Sequence, residues 1–256
     1  MEFFKNIFRA IWRAWFYVFF GISLIVLLPV LFLLTLHENQ YPTLYKIIRG
    51  FSKTLLFVMG FHLKIENEES IDRTKSYMFC PNHSSMMDPF VLVSTVKNPI
   101  VFVGKAELKK IPIFGFFYKR ICILVDRSNP ESRKEVYHQA KRRLKNGTSV
   151  AIFPEGLVPT EDVILSPFKN GAFSLAIEHQ IPIVPASYYD CKRLFSWDFF
   201  KGGPGKFRIK QHFFIPTKGL QKEDLETLKE QTYTVIFNEL SNDQAYMKDT
   251  NKKKNE

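Results

Sequence analysis

The sequence predicts an α/β protein: a single domain with a mixed, partly parallel sheet flanked by helices, plus an N-terminal membrane helix or helical hairpin. Three observations predict it. Residues 14–36, AWFYVFFGISLIVLLPVLFLLTL, hold no charged side chain. After residue 61, short apolar runs alternate with longer segments of helical spacing, as strands do when helices connect them. Ionisable residues then follow one strand after another: His83, Lys105, Asp126 with Arg127, and Glu155. Open α/β sheets place ligands outside the carboxyl ends of their strands, so these residues are expected on one rim.

The membrane element comes first. About 20 apolar residues cross the hydrocarbon of a bilayer, and each Lys, Arg or Asp at the centre costs roughly 2.5–3.5 kcal/mol. Residues 14–36 meet both requirements. A buried core helix accounts for them less well, as does a signal peptide, because no small-residue cleavage site follows. Lys5, Arg9 and Arg13 precede the run and Lys46, Arg49 and Lys53 follow it, so charge casts no inside–outside vote. Pro29 is a potential kink. A second apolar stretch, TLLFVMGF at 54–61, has helical spacing, so a helix pair lying in one leaflet competes with a single span. Trp12, Trp15 and the basic flanks suit the headgroups of an anionic phospholipid membrane. Residues 1–61 are therefore read as a membrane-associated helical segment.

In the body of the chain, strands are predicted at 61–65, 76–80, 99–103, 121–125, 149–153, 181–186 and 207–214. A helix is predicted over 130–146: Ser128 or Asn129 can cap it, Pro130 opens it, basic residues crowd its last turns and Gly147 ends it. Further helices are predicted at 167–179 and 220–240, the latter with Leu225, Leu228, Val235 and Ile236 on one side. Residues 241–256 are polar and predicted to be a disordered tail.

With 46% hydrophobic residues among 256, the chain can bury one large core and still carry a membrane element. The formal charge of +11 points to an anionic partner: a membrane surface, a phosphorylated substrate or nucleic acid. No basic-helix or RNA-binding signature is present, so no nucleic acid is expected. Cys80, Cys122 and Cys191 are widely spaced and read as buried thiols in a reducing compartment.

The stretch CPNHSSMMDPF at 80–90 poses the chemical question. On a continuous helix, positions five apart differ in direction by roughly 140°, so His83 and Asp88 would not share a face. The pair is coherent if His83 precedes a helix whose first turns carry Asp88, with Ser84 or Ser85 as cap. Asp88 would then accept the Nδ1–H of His83 and leave Nε2 as a base. Metal binding lacks further ligands, since no HExxH or close cysteine pair exists. Ser84 and Ser85 adjoin the histidine but lie in no G-x-S-x-G elbow. An ordinary polar turn is the remaining reading.

Taken together, NHSSMMD at 82–88, VDR at 125–127, FPEG at 153–156 and IPIVPAS at 181–187 resemble, in order and spacing, the four blocks of the glycerolipid acyltransferases. The match is to the 1-acylglycerol-3-phosphate (lysophosphatidic acid) acyltransferases. GKAELKKIPIFGFF at 104–117 and PFKNGAF at 167–173 agree as well, so the resemblance covers roughly 62–215. It implies a catalytic domain at 62–240 that moves a fatty acyl group from acyl-CoA or acyl carrier protein to lysophosphatidic acid. No cofactor or metal is implied. His83 would be the general base and Asp88 its partner, while Lys105, Arg127, Glu155 and Gly156 would bind the acceptor and its phosphate. A membrane-associated enzyme of the bacterial inner membrane, its domain on the cytoplasmic side, is expected. One departure bears on the acceptor: the third block continues with Leu157 and Val158 where the family has threonine and arginine. An acyltransferase for another lysophospholipid or a lyso-aminolipid is thus the alternative, and a membrane-anchored phospholipid- or nucleic-acid-binding protein the alternative of a different class.

Overall fold

The computed structural model describes residues 2–126 and 128–254. A seven-stranded sheet organises the chain. Its strands are β1 (Phe61–Asn67), β2 (Met78–Pro81), β3 (Ile100–Lys105), β4 (Cys122–Val125), β5 (Ser149–Ala151), β6 (Ile183–Tyr188) and β7 (Gly205–Gln211). All seven predicted strands are present, with ends shifted by a few residues, as expected where only pairing decides the last residue. The order is β1-β7-β6-β2-β5-β3-β4. Strands β6, β2, β5, β3 and β4 pair in parallel, and the β7–β1 pair runs the other way because β7 meets β6 antiparallel. The sheet is mixed and largely parallel, as predicted.

The central strands β2, β5 and β6 are buried on both faces, which is why they read as short, near-continuous apolar runs, whereas the edge strand β1 is largely exposed and β7 alternates. Alternation assigns the layers: Met78 and Cys80 face one core, Tyr77 and Phe79 the other. The first core receives α5 (Pro130–Lys145), α6 (Gly171–His179) and α8 (Leu225–Asn242) through Ala140, Phe173 and Ile236. The second receives α2 (Tyr41–Val58) and α3 (Asp88–Thr95) through Leu55, Leu56 and Val91. Asn129 caps α5 as anticipated, its Oδ1 accepting from the N–H groups of Glu131 (2.9 Å) and Ser132 (3.4 Å). The three cysteines are free and buried.

Two expectations are corrected. The apolar stretch at 54–61 is not one helical element: it ends α2 and begins β1, with Leu55 and Leu56 in the core. Tyr41 and Tyr45 donate from α2 to the carbonyls of Ile100 (2.7 Å) and Val96 (3.1 Å), seating the helix on the domain. The polar tail is not disordered after 241, for α9 occupies Gln244–Lys254. Composition missed it because the few side chains that fasten it are scattered among polar residues. Asp243 accepts from the Tyr246 N–H (2.8 Å) while pairing with Arg208, and the Tyr246 side chain is buried.

The helix α1 (Glu2–Leu34) runs on through Pro29 and is, among the described residues, the one helix long and apolar enough to cross a membrane. Phe4, Phe8, Trp15, Ile22 and Val26 on it are exposed. It nevertheless touches the domain at two places, from Trp12 to Phe16 and again near its C-terminal end. Near its start Trp12, Arg13 and Phe16 are buried, and Arg13 Nη2 donates to the carbonyls of Ser196 (2.8 Å), Lys201 (3.0 Å) and Asp198 (3.3 Å). The same guanidinium lies 3.9 Å from the centre of the Phe195 ring. Near its end Phe32 stacks on Phe116 with ring centroids 5.5 Å apart. Arg13→Ala should release the 196–201 loop. Limited proteolysis should cut there faster, and denaturant unfolding in detergent should show a loss of about 1.5–3 kcal/mol, the range for hydrogen bonds to a charged group.

Candidate active site

The topology puts the carboxyl ends of four adjacent parallel strands, β2, β5, β3 and β4, on one rim. His83 follows β2, Glu155 follows β5 and Lys105 ends β3. Arg127, two residues beyond β4, lies outside the described residues.

At the end of β2, the buried Asn82 side chain continues the sheet by replacing a strand. Its Oδ1 accepts from Tyr188 N–H (2.7 Å) and its Nδ2 donates to Tyr188 O (3.2 Å). The backbone then turns and α3 begins at Asp88. Asp88 Oδ2 receives the N–H groups of Ser84 (2.6 Å) and Ser85 (2.8 Å) and lies 2.8 Å from His83 Nδ1. An oxygen already accepting from two N–H groups is an acceptor toward the imidazole too, so Nδ1 carries the proton and Nε2 its lone pair. The carboxylate is fully buried at the first turn of a helix, where the aligned amides favour negative charge. The five-residue spacing is thus explained by a turn closing onto a helix start. Neither serine caps α3 by its side chain: Ser85 Oγ donates to Phe195 O (2.7 Å) and accepts from Met87 N–H (3.2 Å).

The imidazole is 21% exposed, open enough to meet a substrate. Its ring stacks on Phe153 at 4.2 Å and 19°, and Phe153 continues to Phe102 at 6.2 Å and 13°. With Asp88 fixing one ring edge and Phe153 one face, the direction of Nε2 is set. Nothing in the sequence separates Phe153 from an ordinary core phenylalanine, because its partner lies 70 positions earlier.

Glu155 is buried and its two oxygens serve backbone donors: Oε1 accepts from His83 N–H (2.6 Å) and Oε2 from Ser166 N–H (2.8 Å). Burial pushes its carboxyl up to about 7, and the two N–H groups hold back a larger rise. Gly156 has φ of +78°, the left-handed conformation, and its N–H closes a turn onto Phe153 O (3.0 Å). Leu157 beyond it is exposed. Lys105 is exposed at the tip of β3. Among the described residues, no three His, Cys, Asp or Glu side chains come together as a metal site.

Known proteins share this arrangement of chain. A family described as acyltransferase matches residues 62–189. An uncharacterised acyltransferase of Schizosaccharomyces pombe is 32% identical over 209 residues, 79% of this chain and 72% of its own length. A probable 1-acyl-sn-glycerol-3-phosphate acyltransferase of Mycoplasma pneumoniae is 26% identical over 235 residues, 85% of this chain and 80% of its own. The crystal structure of the 1-acyl-sn-glycerophosphate acyltransferase of Thermotoga maritima has the same fold, with a TM-score of 0.76 at 22% identity over 95% of this chain and 99% of that one.

The burial of Glu155 has a thermodynamic signature. Its folded pKa, about 7, exceeds the ordinary carboxyl value, so between roughly pH 4.5 and 7 the folded state binds more protons than the unfolded state. The stability this group contributes is full below that window and lost as pH rises through about 7. Glu155→Gln removes the titration. The wild-type advantage in melting temperature over this variant should therefore be largest at pH 5 and shrink by pH 8, as followed by thermal unfolding across that range.

Proposed function

The chain belongs to the acyltransferase family, and from that premise we propose that it transfers a fatty acyl group from acyl-CoA or acyl carrier protein to the free hydroxyl of 1-acyl-glycerol-3-phosphate, giving phosphatidic acid. The observation that carries the proposal is the buried Asp88 carboxylate orienting a partly exposed His83. The acceptor hydroxyl donates to His83 Nε2 while its oxygen attacks the thioester carbonyl carbon. As the carbon–oxygen bond forms, the proton passes to Nε2, and Asp88 stabilises the imidazolium. Collapse of the tetrahedral intermediate breaks the carbon–sulfur bond, and the departing thiolate takes the proton back from Nε2. No protein nucleophile is needed.

Lys105 and Arg127 are assigned to the acceptor phosphate, the lysine as a point charge and the arginine as a planar fork of donors. Glu155 serves the acceptor indirectly. A carboxylate facing a phosphate would repel it, whereas Glu155 spends both oxygens on the His83 and Ser166 amides. Gly156 supplies the turn that lets Glu155 point inward. Exposed Leu157 favours a second reading, an acceptor whose headgroup is other than a bare phosphate, because it offers no donor where the family carries a hydroxyl.

The finer membrane placement follows from α1. A helix of 33 residues is about 50 Å long, and it rests on one domain at Arg13 and again at Phe32. A transmembrane helix would carry one end to the far side. We therefore place α1 flat in one leaflet, its apolar face in the acyl region, with the domain on the cytoplasmic side and its basic surface toward anionic headgroups.

Full-length protein in phospholipid nanodiscs, supplied with labelled acyl thioesters and a panel of lyso-acceptors, tests the assignment. Acylation of a non-phosphate acceptor but of no lysophosphatidic acid would overturn the preferred substrate. His83→Ala should lower turnover on the order of 10²–10⁴-fold, the usual contribution of a general base. Lys105→Met should raise KM for the lyso-acceptor by roughly ten-fold with kcat unchanged, as for loss of one charge-assisted contact made equally in ground and transition states.

A further inference from the structure

We propose that Lys192, Tyr246 and Tyr233 are positioning residues for the reaction, acting on His83 through the loop that follows β5. The loop spans residues 152–170 and is irregular, so its buried carbonyls find no strand or helix partner. Three consecutive ones are captured by side chains of three separate elements. Val163 O accepts from Lys192 Nζ (2.9 Å) on α7 (Cys191–Leu194), Ile164 O from Tyr246 OH (2.7 Å) on α9, and Leu165 O from Tyr233 OH (3.2 Å) on α8. The next backbone group, Ser166 N–H, reaches Glu155 Oε2, and Glu155 Oε1 holds His83 N–H.

Only two links therefore separate the braced carbonyls from the histidine backbone. The brace is buried and internally packed: Lys192 and Tyr246 are both under a tenth exposed, and Nζ lies 5.5 Å from the centre of the Tyr246 ring. All three donors lie outside residues 62–189, the segment matched by the family. They come from helices whose packing against the sheet serves stability in any case. What singles them out is the target: the carbonyls immediately before the residue whose amide Glu155 grips. If that grip loosens, Glu155 loses one of its two donors and the backbone at His83 is held by a freer carboxylate. A displacement of His83 by a fraction of an ångström lowers kcat without altering substrate affinity.

The inference rests on His83 being the base. Full-length protein in nanodiscs carries the test, with Tyr246→Phe, which keeps the ring, and Lys192→Met, which keeps the stem. Each should lower kcat roughly three- to ten-fold, with KM for both substrates within about two-fold of wild type. Hydrogen exchange should quicken in the 153–168 peptide and also in the 80–90 peptide, although the hydrogen bonds of both side chains go to the 163–164 carbonyls. A brace that only stabilises the fold would lower the melting temperature while kcat and exchange at 80–90 stayed as in wild type, and that result overturns the proposal. Should Lys192→Met not fold, Tyr246→Phe decides by the same readouts. His83→Ala is the control. Full turnover in it removes the mechanism itself, whereas an inactive His83→Ala beside an unaffected Tyr246→Phe removes only the brace.

Discussion

Asp88 Oδ2 gathers three donors on one buried oxygen: His83 Nδ1 and the amides of Ser84 and Ser85. That convergence shapes the whole corner between β2 and α3. A carboxylate out of water needs such partners, since burying it unpaired would cost several kcal/mol. The amides come from the turn itself, so the turn conformation is the one that satisfies Oδ2. In that conformation the imidazole is delivered with a fixed tautomer and a free Nε2. Structure and proposed chemistry are here one arrangement seen from two sides.

The other elements can be ranked by their distance from that corner. Asn82 ties it to β6, Phe153 supports the imidazole ring, and Glu155 holds the His83 amide. Phe153 and Glu155 both reach His83 because β5 pairs with β2 in parallel, which brings the residues after both strands to the same rim. The C-terminal helices stand one step further out, gripping the loop that carries Glu155. A chain of such contacts spreads the definition of the site over segments more than 150 residues apart. No single element defines it.

The membrane element obeys a different constraint. Exposed apolar side chains along it, Phe4, Phe8 and Val26 among them, suit lipid, while Arg13 is buried against backbone carbonyls of the 196–201 loop. A guanidinium among carbonyls and aromatic faces is tolerated because its donors are met. The same residue that looked like a basic flank in the sequence is a tether.

Much of the domain was legible in the residues. All seven predicted strands formed, the central ones because burial on both faces leaves a strong local signal. The block NHSSMMD marked the histidine–aspartate pair, and the spacing alone argued for a helix start rather than a helix face. The polar tail misled, since the few side chains that fasten it are scattered among polar residues. Glu155 and Gly156 were identified by position but not by role, for the partners of Glu155 are backbone amides that no side-chain pattern encodes. The sequence by itself determined the strands, the apolar helix and the pairing of His83 with Asp88, all of which depend on local spacing and polarity. Only the tertiary structure decided the strand order, the docking of α1 at two places, the Phe153 support and the brace on the Glu155 loop. Each of these joins residues distant in the chain, and their contact depends on how the sheet is wound.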